Sequence, residues 1–404
     1  MRHFVLPPLP AYTFLVHVVV IGAGVFGVWT AHHLRDAGAE VTLVDAYTPG
    51  HSRSSSGDET RILRCGYGPD RVYSEMAHAS LAQWRALGVR SATALGHPCG
   101  VLWMAAGKDP YTDATRRTLQ ECGYPHDVLD RAGLQQRFPQ IRIGDAHGAP
   151  GPGVDAGAID MALLEPECGV LLARRAVRTL ADELSTRGVR IVQAEVAARG
   201  SLRGAIATAA GRHIEGDRFV FTCGAWLPRL FPDVLGGRIR PTRQVVVYFG
   251  TPPGDGRFQA PRWPAWIDFP AGIYGTPDID GRGVKVGIDE HGPPIDPDTA
   301  ERIVDGASVE RARAWLARRV PALADAPVLE SRVCQYENTS TGDFLIDRHP
   351  EQANVWIAGG GSGHGFKHGP AIGERVARMV MAGEPADPRF ALEHKTADAR
   401  RAIY

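Results

Sequence analysis

The stretch VHVVVIGAGVFGVWTAHHLRDAGAEVTLVDAY, residues 16–47, leaves a chain few ways to fold. Its apolar run from Val16 to Ile21 suits a parallel strand buried on both faces. Gly22, Gly24 and Gly27 follow in GxGxxG spacing, then a helix to about Ala37 with Gly38 as its cap. A second strand, Val41 to Val44, ends at Asp45, 18 residues after Gly27. A lone GxGxxG says little, but one bracketed by two strands with an acid at this distance is the grammar of a dinucleotide site. The first glycine makes the tight turn, the second admits a pyrophosphate, and the third packs helix on strand. The helix N-terminus then offers free N–H groups and a positive dipole end to the phosphates, and Asp45 would take the hydroxyls of an adenosine ribose. The competing reading is a glycine-rich turn with no ligand. The motif does not by itself separate FAD from NAD. His32 and His33 ride on the helix and are expected to be solvated.

Length and charge bound the rest. At 404 residues the chain is long for one core, so two lobes are expected. Lys+Arg and Asp+Glu balance at 45 each, which argues against nucleic acid or an anionic membrane as the main partner. No apolar run approaches the roughly 18 residues of a membrane span. The six cysteines (65, 99, 122, 168, 223 and 334) are scattered without CxxC pairs, which suits a reducing cytoplasm and argues against a structural zinc. The first fifteen residues, MRHFVLPPLPAYTFL, read better as a frayed or mis-started N-terminus than as a signal peptide.

Further on, HSRSSSGDETRILRCGYG reads as a polar loop. A helix follows, with Tyr73, Met76, Ala77, Leu81, Trp84 and Leu87 on one face. From about Gly88 to Gly157 short strands and proline-rich turns surround a helix near Asp109–Gly123. Between Glu165 and Val192, Pro166 marks a helix start, Val170, Ala173, Val177, Leu180 and Leu184 form its face, and Gly188 caps it. Phe219–Thr222 is a buried strand. RQVVVYF (243–249), WIDF (266–269), GIYG (272–275) and GVKVGI (283–288) are strands without intervening helices, an antiparallel sheet. A helix around Ser308–Arg319, a central strand Asn354–Ala358, a glycine-rich loop 359–369 and a last helix through Ile372, Val376, Met379 and Val380 complete the chain.

The fold class is therefore α/β plus α+β: a discontinuous Rossmann-like dinucleotide-binding domain (16–90, 155–230 and 325–390), a discontinuity more usual in flavoproteins than in nicotinamide dehydrogenases, with a second, antiparallel-sheet substrate domain (91–154 and 231–324). Two cation features stand out. In GVKVGIDE the apolar residues alternate to one face, which leaves Lys285, Gly287 and Asp289 on the other. Lys285 is either an outward edge residue or an interior charge, and pattern alone favours the outward reading. Arg61 and Arg64 in ETRILR, with acids beside them, would by themselves be a solvated face.

Taken together, GAGVFG, SSGDETRILR, EPECGVL, CGAW, RQVVVYF, GIYG, KVG…IDPDT, CQY…FLIDRHPE and GGGSGHGFK occur in an order that resembles the monomeric sarcosine oxidase and N-methyltryptophan oxidase family, within the D-amino-acid-oxidase-like flavoproteins. The resemblance runs from about Val18 to Gly383. It implies FAD attached through a thioether from Cys334 to the flavin 8-methyl group. A small buried hydrophobe is the competing reading of Cys334. It implies further that Lys285 assists the reaction of reduced flavin with oxygen, where a fixed cation meets developing negative charge. Arg61 would lie against the flavin, while Arg64 and Lys367 would hold a substrate carboxylate. Tyr274 and Tyr336 would wall the substrate site. Thr60, Val196, Trp226, Gly363, His364, Gly365 and Phe366 would contact the cofactor.

The chain departs from that pattern in two places. Its DETR segment is one residue longer, with serines (Ser54–Ser56) where the family has histidines. Asp289 also replaces an active-site histidine beyond the lysine, and an acid there favours a cation or hydroxyl, which argues against sarcosine itself. The expectation is an FAD-dependent oxidase of a secondary amino acid, N-methyl or cyclic. It would turn a small-molecule substrate and O2 into an imine and hydrogen peroxide, as a cytoplasmic monomer or small homo-oligomer without a metal. Four other readings stay open: a flavin dehydrogenase with slow reoxidation in air, an amadoriase-like oxidase of glycated amino acids, a nicotinamide-dependent dehydrogenase, and a flavoprotein scaffold whose site has decayed.

Overall fold

The computed structural model describes residues 15–106, 109–144, 159–197, 202 and 204–397. The N-terminal stretch 1–14, and with it most of the segment read as frayed, lies outside the described residues. The chain forms two compact units, each assembled from separate segments. Of the described residues, the first takes 15–56, 177–240 and 337–397, and the second takes those within 57–176 and 241–336. Residues 57–90, 159–176 and 325–336, which the sequence reading groups with the nucleotide domain, cluster in the second unit, and 231–240, which it gives to the substrate domain, cluster in the first. Met161–Glu165 pairs there with Val101–Ala105, Lys285 bonds the Thr60 carbonyl, and Thr60–Leu63 pairs antiparallel with Gly169–Leu172.

The first unit is built on a six-stranded sheet ordered Leu345–Arg348, Val355–Gly359, Arg218–Phe221, His17–Ile21, Glu40–Asp45, Arg190–Gln193. Every neighbouring pair is parallel except the first. Val18 to Ile21 are buried throughout, as a strand covered on both faces requires. Val19, Ile21, Phe219, Phe221, Val355 and Ile357 join Leu227, Phe231 and Leu235 in a core on one side. The helices Val25–Asp36 and Gly369–Ala382 pack closely on one another, since a Cβ on Gly373 would lie 2.4 Å from the Trp29 backbone. His32 is not solvated as expected. It is 8% exposed, with Nδ1 2.9 Å from Arg187 and Nε2 3.3 Å from Asp36.

The second unit is organised by an eight-stranded sheet ordered Val328–Thr339, Ile239–Phe249, Val284–Ile288, Ile273–Thr276, Ala265–Asp268, Val101–Ala105, Met161–Glu165, Asp127–Asp130. The expected antiparallel strands are present. The sheet is mixed, however, because Ala265–Asp268 runs parallel to Val101–Ala105. Trp315, on the helix Gly306–Arg319, stacks on Trp266 at 4.0 Å, and the buried Arg319 pairs with Asp268 at 2.8 Å. Two local expectations change. ETRILR is not a loop, since Thr60–Leu63 is a strand in a three-stranded sheet with Gly169–Leu172 and Gly96–His97. The helix expected from Pro166 starts only at Ala173, and Val170 belongs to the strand before it. The VLL run has strand as well as helical periodicity, and pairing with Thr60–Leu63 decides for strand. No helix among the described residues is long and apolar enough to cross a membrane.

Candidate active site

In the first unit the strand His17–Ile21 ends in Gly22 at φ +103°, a conformation in which a side chain is strained. A Cβ on Gly27 would sit 1.7 Å from the Gly22 carbonyl oxygen, so the third glycine is demanded by the turn itself. Gly24 differs: its Cβ would meet only Ser56 Oγ, at an ordinary 3.5 Å. Packing therefore leaves open the space that a pyrophosphate needs. Ser56 Oγ accepts from Val25 N at 3.1 Å, while the N–H groups of Gly24, Phe26 and Gly27 have no partner among the described residues. Asp45 turns inward, its Oδ2 accepting from Ala23 N at 2.6 Å and its Oδ1 from Tyr47 N at 2.8 Å. Burial raises the Asp45 carboxyl above its ordinary value, and these two N–H groups oppose the rise. Residues and space fit the diphosphate and ribose of a dinucleotide.

The glycine-rich loop after Val355–Gly359 belongs to the same unit. Gly363 takes φ +79°, and the His364 ring stacks on Phe344 at 4.8 Å with Nε2 3.0 Å from the Gly342 carbonyl. A Cβ on Gly365 would lie 2.9 Å from Gly361 Cα and from the Phe26 ring, which ties this loop to the glycine helix. Phe366 and Lys367 are buried in the short 3-10 turn that follows, and Lys367 Nζ donates to the His364 carbonyl at 3.0 Å. Ser55 Oγ donates to Glu337 Oε2 at 2.7 Å, and Ser362 N to the Glu337 carbonyl at 3.1 Å. Trp226 lies 6.2 Å from the His51 ring, and Val196 bridges to Thr208.

The second unit gathers a buried charge cluster. Lys285, the second residue of Val284–Ile288, is 1% exposed, so the outward reading does not hold. Its ammonium contacts Asp58 Oδ2 and donates to the Thr60 carbonyl at 3.0 Å. Asp58 is a hub. Arg61 Nη1 donates to its Oδ2 at 2.6 Å, Tyr248 Oη to its Oδ1 at 2.9 Å, and Arg332 lies 3.7 Å away. Burial pushes the Asp58 carboxyl up, but the Lys285 and Arg61 charges outweigh it and hold the group well below the carboxylate range. Burial lowers the Lys285 ammonium, opposed by Asp58 and reinforced by Arg61. Arg61 stays cationic, with Asp58 overcoming its own burial.

The outermost strand adds Cys334 and Tyr336. Residues 332, 334 and 336 alternate half-buried with the buried 333, 335 and 337, so Arg332, Cys334 and Tyr336 share a face. Burial pushes the Cys334 thiol up, with Arg61 and Lys285 close enough to oppose it. Tyr336 Oη donates to Asp289 Oδ1 at 3.3 Å and is hydrogen-bonded to Tyr274. Burial is the first cause holding both phenols protonated. A Cβ on Gly287 would stand 2.4 Å from Tyr274 Cζ, so the glycine lets that ring cross its neighbouring strand.

Arg64 has a separate seat. It is 4% exposed, its guanidinium lies 4.2 Å over the Tyr67 ring and 4.6 Å over the Trp103 ring, and Nη1 donates to the Gly66 carbonyl. Among the described residues no carboxylate pairs with it, which leaves a buried cation open to an anionic ligand. The second unit thus brings Thr60, Arg61, Lys285, Cys334, Tyr274, Tyr336 and Asp289 together, with Arg64 on its own platform. Sequence reasoning missed Asp58, Tyr248 and Arg332, as well as the Tyr67–Trp103 platform. Asp58 alone had a signal, as part of the lengthened SSGDETR segment.

Residues 17–379 match the FAD dependent oxidoreductase family. A monomeric sarcosine oxidase of Streptomyces avermitilis is 32% identical over 92% of this chain and 95% of its own length. That of Bacillus sp. strain B-0618 is 30% identical over 91% and 92%. Among solved structures, L-proline dehydrogenase from P. horikoshii superposes with a TM-score of 0.77 at 22% identity, covering 94% of this chain and 97% of the other. The chain belongs to the FAD-dependent oxidoreductase family, and its cofactor is FAD.

Proposed function

We propose that this member of the family oxidises the C–N bond of a secondary amino acid, N-methyl or cyclic, to an imine, with O2 as the electron acceptor and hydrogen peroxide as co-product. Bound FAD supplies the two-electron chemistry between amine and oxygen. The chain's own residues do the rest. Arg64 takes the substrate carboxylate from its aromatic platform, and Lys367 is a second carboxylate ligand. Tyr274 and Tyr336 form an apolar wall whose hydroxyls bond one another, with that of Tyr336 ending on Asp289, so the site suits a substrate with a hydroxyl or cation beyond the wall. Lys285, paired with Asp58 in a dry strand interior, stabilises negative charge as oxygen is reduced, and Arg61 supports it. Cys334 carries the covalent link to the flavin. Thr60, Val196, Trp226, Gly363, His364, Gly365 and Phe366 complete the cofactor's surroundings.

One observation carries this reading: a buried arginine, Arg64, lies over two rings with no carboxylate paired to it among the described residues. A site built to receive an anion leaves its cation in that condition, whereas a structural arginine is normally paired. The test is Arg64→Met. It should raise the KM for the amino acid by about a hundredfold, as expected for losing a charge-assisted anchor, with flavin content unchanged. An unaltered KM would remove Arg64 from the substrate site.

A further inference from the structure

The six cysteines look unrelated in sequence, yet the fold brings two of them together. The strands Thr60–Leu63 and Gly169–Leu172 pair with Leu63 opposite Gly169, which carries Cys65 and Cys168 to the same end of the ladder. The Cys168 thiol points at Cys65 Sγ, 3.9 Å away, and both residues are buried. Behind them Glu165 accepts from Cys65 N at 2.6 Å, from Gly66 N at 3.2 Å on each oxygen, and from Trp103 Nε1 at 3.2 Å. Cys168 Sγ is 3.5 Å from the same carboxylate. Cys65, Glu165 and Cys168 are also a set of potential metal ligands. The carboxylate's lone pairs are already taken by these donors, however, and among the described residues only three ligands are at hand for an ion that wants four. A dithiol fits better than a metal.

We propose that Cys65 and Cys168 form a peroxide-sensitive dithiol whose closure into a disulfide shifts the seat of Arg64. The sulfurs must approach from 3.9 Å to about 2 Å. In the first step Cys65 sulfur attacks a peroxide oxygen, the O–O bond breaks, and Cys65 sulfenic acid and water result. In the second, Cys168 sulfur attacks Cys65 Sγ, the S–O bond breaks, and the Cys168 proton leaves with the oxygen as water. The balance is two thiols plus hydrogen peroxide giving one disulfide and two waters, with two electrons passing from sulfur to peroxide. The hydrogen bond to Cys65, then burial and the Glu165 carboxylate, push the Cys168 thiol well above its ordinary value. Cys168 therefore holds its proton until the second step.

The consequence follows from connectivity. Cys65 adjoins Arg64, and Glu165, which fixes Cys65 N and Gly66 N, also anchors the Trp103 ring under the Arg64 guanidinium. Gly66 supplies the carbonyl that Arg64 holds. Drawing Cys65 toward Cys168 strains each of these contacts. That Arg64 receives substrate rests on the function proposed above, but the disulfide itself does not.

The full-length flavoprotein would be treated with added hydrogen peroxide, alkylated, digested and mapped by mass. A Cys65–Cys168 cross-linked peptide, two hydrogens lighter than the separate thiols and absent in Cys168→Ser, is the expected result. Both cysteines still alkylated after Cys99 and Cys122 have been oxidised would overturn the proposal, as would one equivalent of zinc in the untreated protein. The KM of the oxidised enzyme should rise about tenfold, the worth of one weakened charge-assisted contact. Dithiothreitol should reverse the rise, and Cys168→Ser should not show it. A cross-link with an unmoved KM overturns the coupling to Arg64. A cross-link in a protein that turns over no amino acid sinks the oxidase reading and leaves the dithiol standing.

Discussion

Lys285 and Asp58 form a buried ion pair in the second unit, each side chain 1% exposed. Two charges taken out of water together are tolerable, and one alone is not. Asp58→Asn should therefore destabilise the protein by about 3–5 kcal/mol at neutral pH, the usual cost of stranding a buried charge. The Asp58 carboxyl is held below its ordinary value, so its contribution is present above about pH 4 and is lost as the pH falls further. Denaturant unfolding at pH 7, 5 and 3.5 checks both statements. The wild type should weaken at the lowest pH, and the variant should show a smaller loss there. Equal acid slopes would mean that Asp58 is not the group responsible.

The function proposed above assigns the oxygen step to the same pair. Lys285→Met should slow reoxidation of the reduced protein in air by about a hundredfold, the scale on which one preorganised charge acts. Anaerobic reduction by substrate should change little. Stopped-flow measurement of the two half-reactions separates these outcomes, and equal slowing of both would assign Lys285 to substrate positioning.

The glycines of the first turn divide by mechanism. Gly27→Ala places a Cβ 1.7 Å from the Gly22 carbonyl and should abolish folding of the first unit or lower Tm by many degrees. Gly24→Ala meets only an ordinary contact and should fold normally while losing FAD. Thermal melts with flavin-to-protein ratios test the contrast.

Much of this was legible in the sequence, and the pattern of what was not is instructive. The glycine turn, both flanking strands and the closing helix rest on local periodicity and turn chemistry, which a single chain displays openly. Lys285 was misread by pattern because alternation marks a face without saying whether water or protein covers it. The partner that makes its burial tolerable, Asp58, is 227 residues away. The strand Thr60–Leu63 looked like a loop for a similar reason, since its polarity is offset by pairing with a segment more than a hundred residues on. Arg64's platform of Tyr67 and Trp103 and the Cys65–Cys168 contact have no local signature, because strand register creates both.

Covalent attachment has its own check. Acid precipitation of the wild type should leave the flavin in the pellet, and Cys334→Ala should leave it in the supernatant. A colourless pellet from the wild type would exclude the thioether.

Gly287 makes room for Tyr274, so Gly287→Ala should displace that ring and raise the KM for a bulky substrate by about tenfold or more, as overpacking by one methyl does in a close contact. Steady-state kinetics across substrates of graded size reports it.

The most direct measurement is an anaerobic one. The purified flavoprotein is mixed with sarcosine, pipecolate, proline and N-methyltryptophan in turn while its visible absorbance is followed, and air is then admitted. At least one secondary amino acid should bleach the flavin, and air should restore the colour promptly with one equivalent of hydrogen peroxide. Flavin that none of these substrates bleaches, or that stays bleached in air, would contradict the reading of this chain as an oxidase of secondary amino acids.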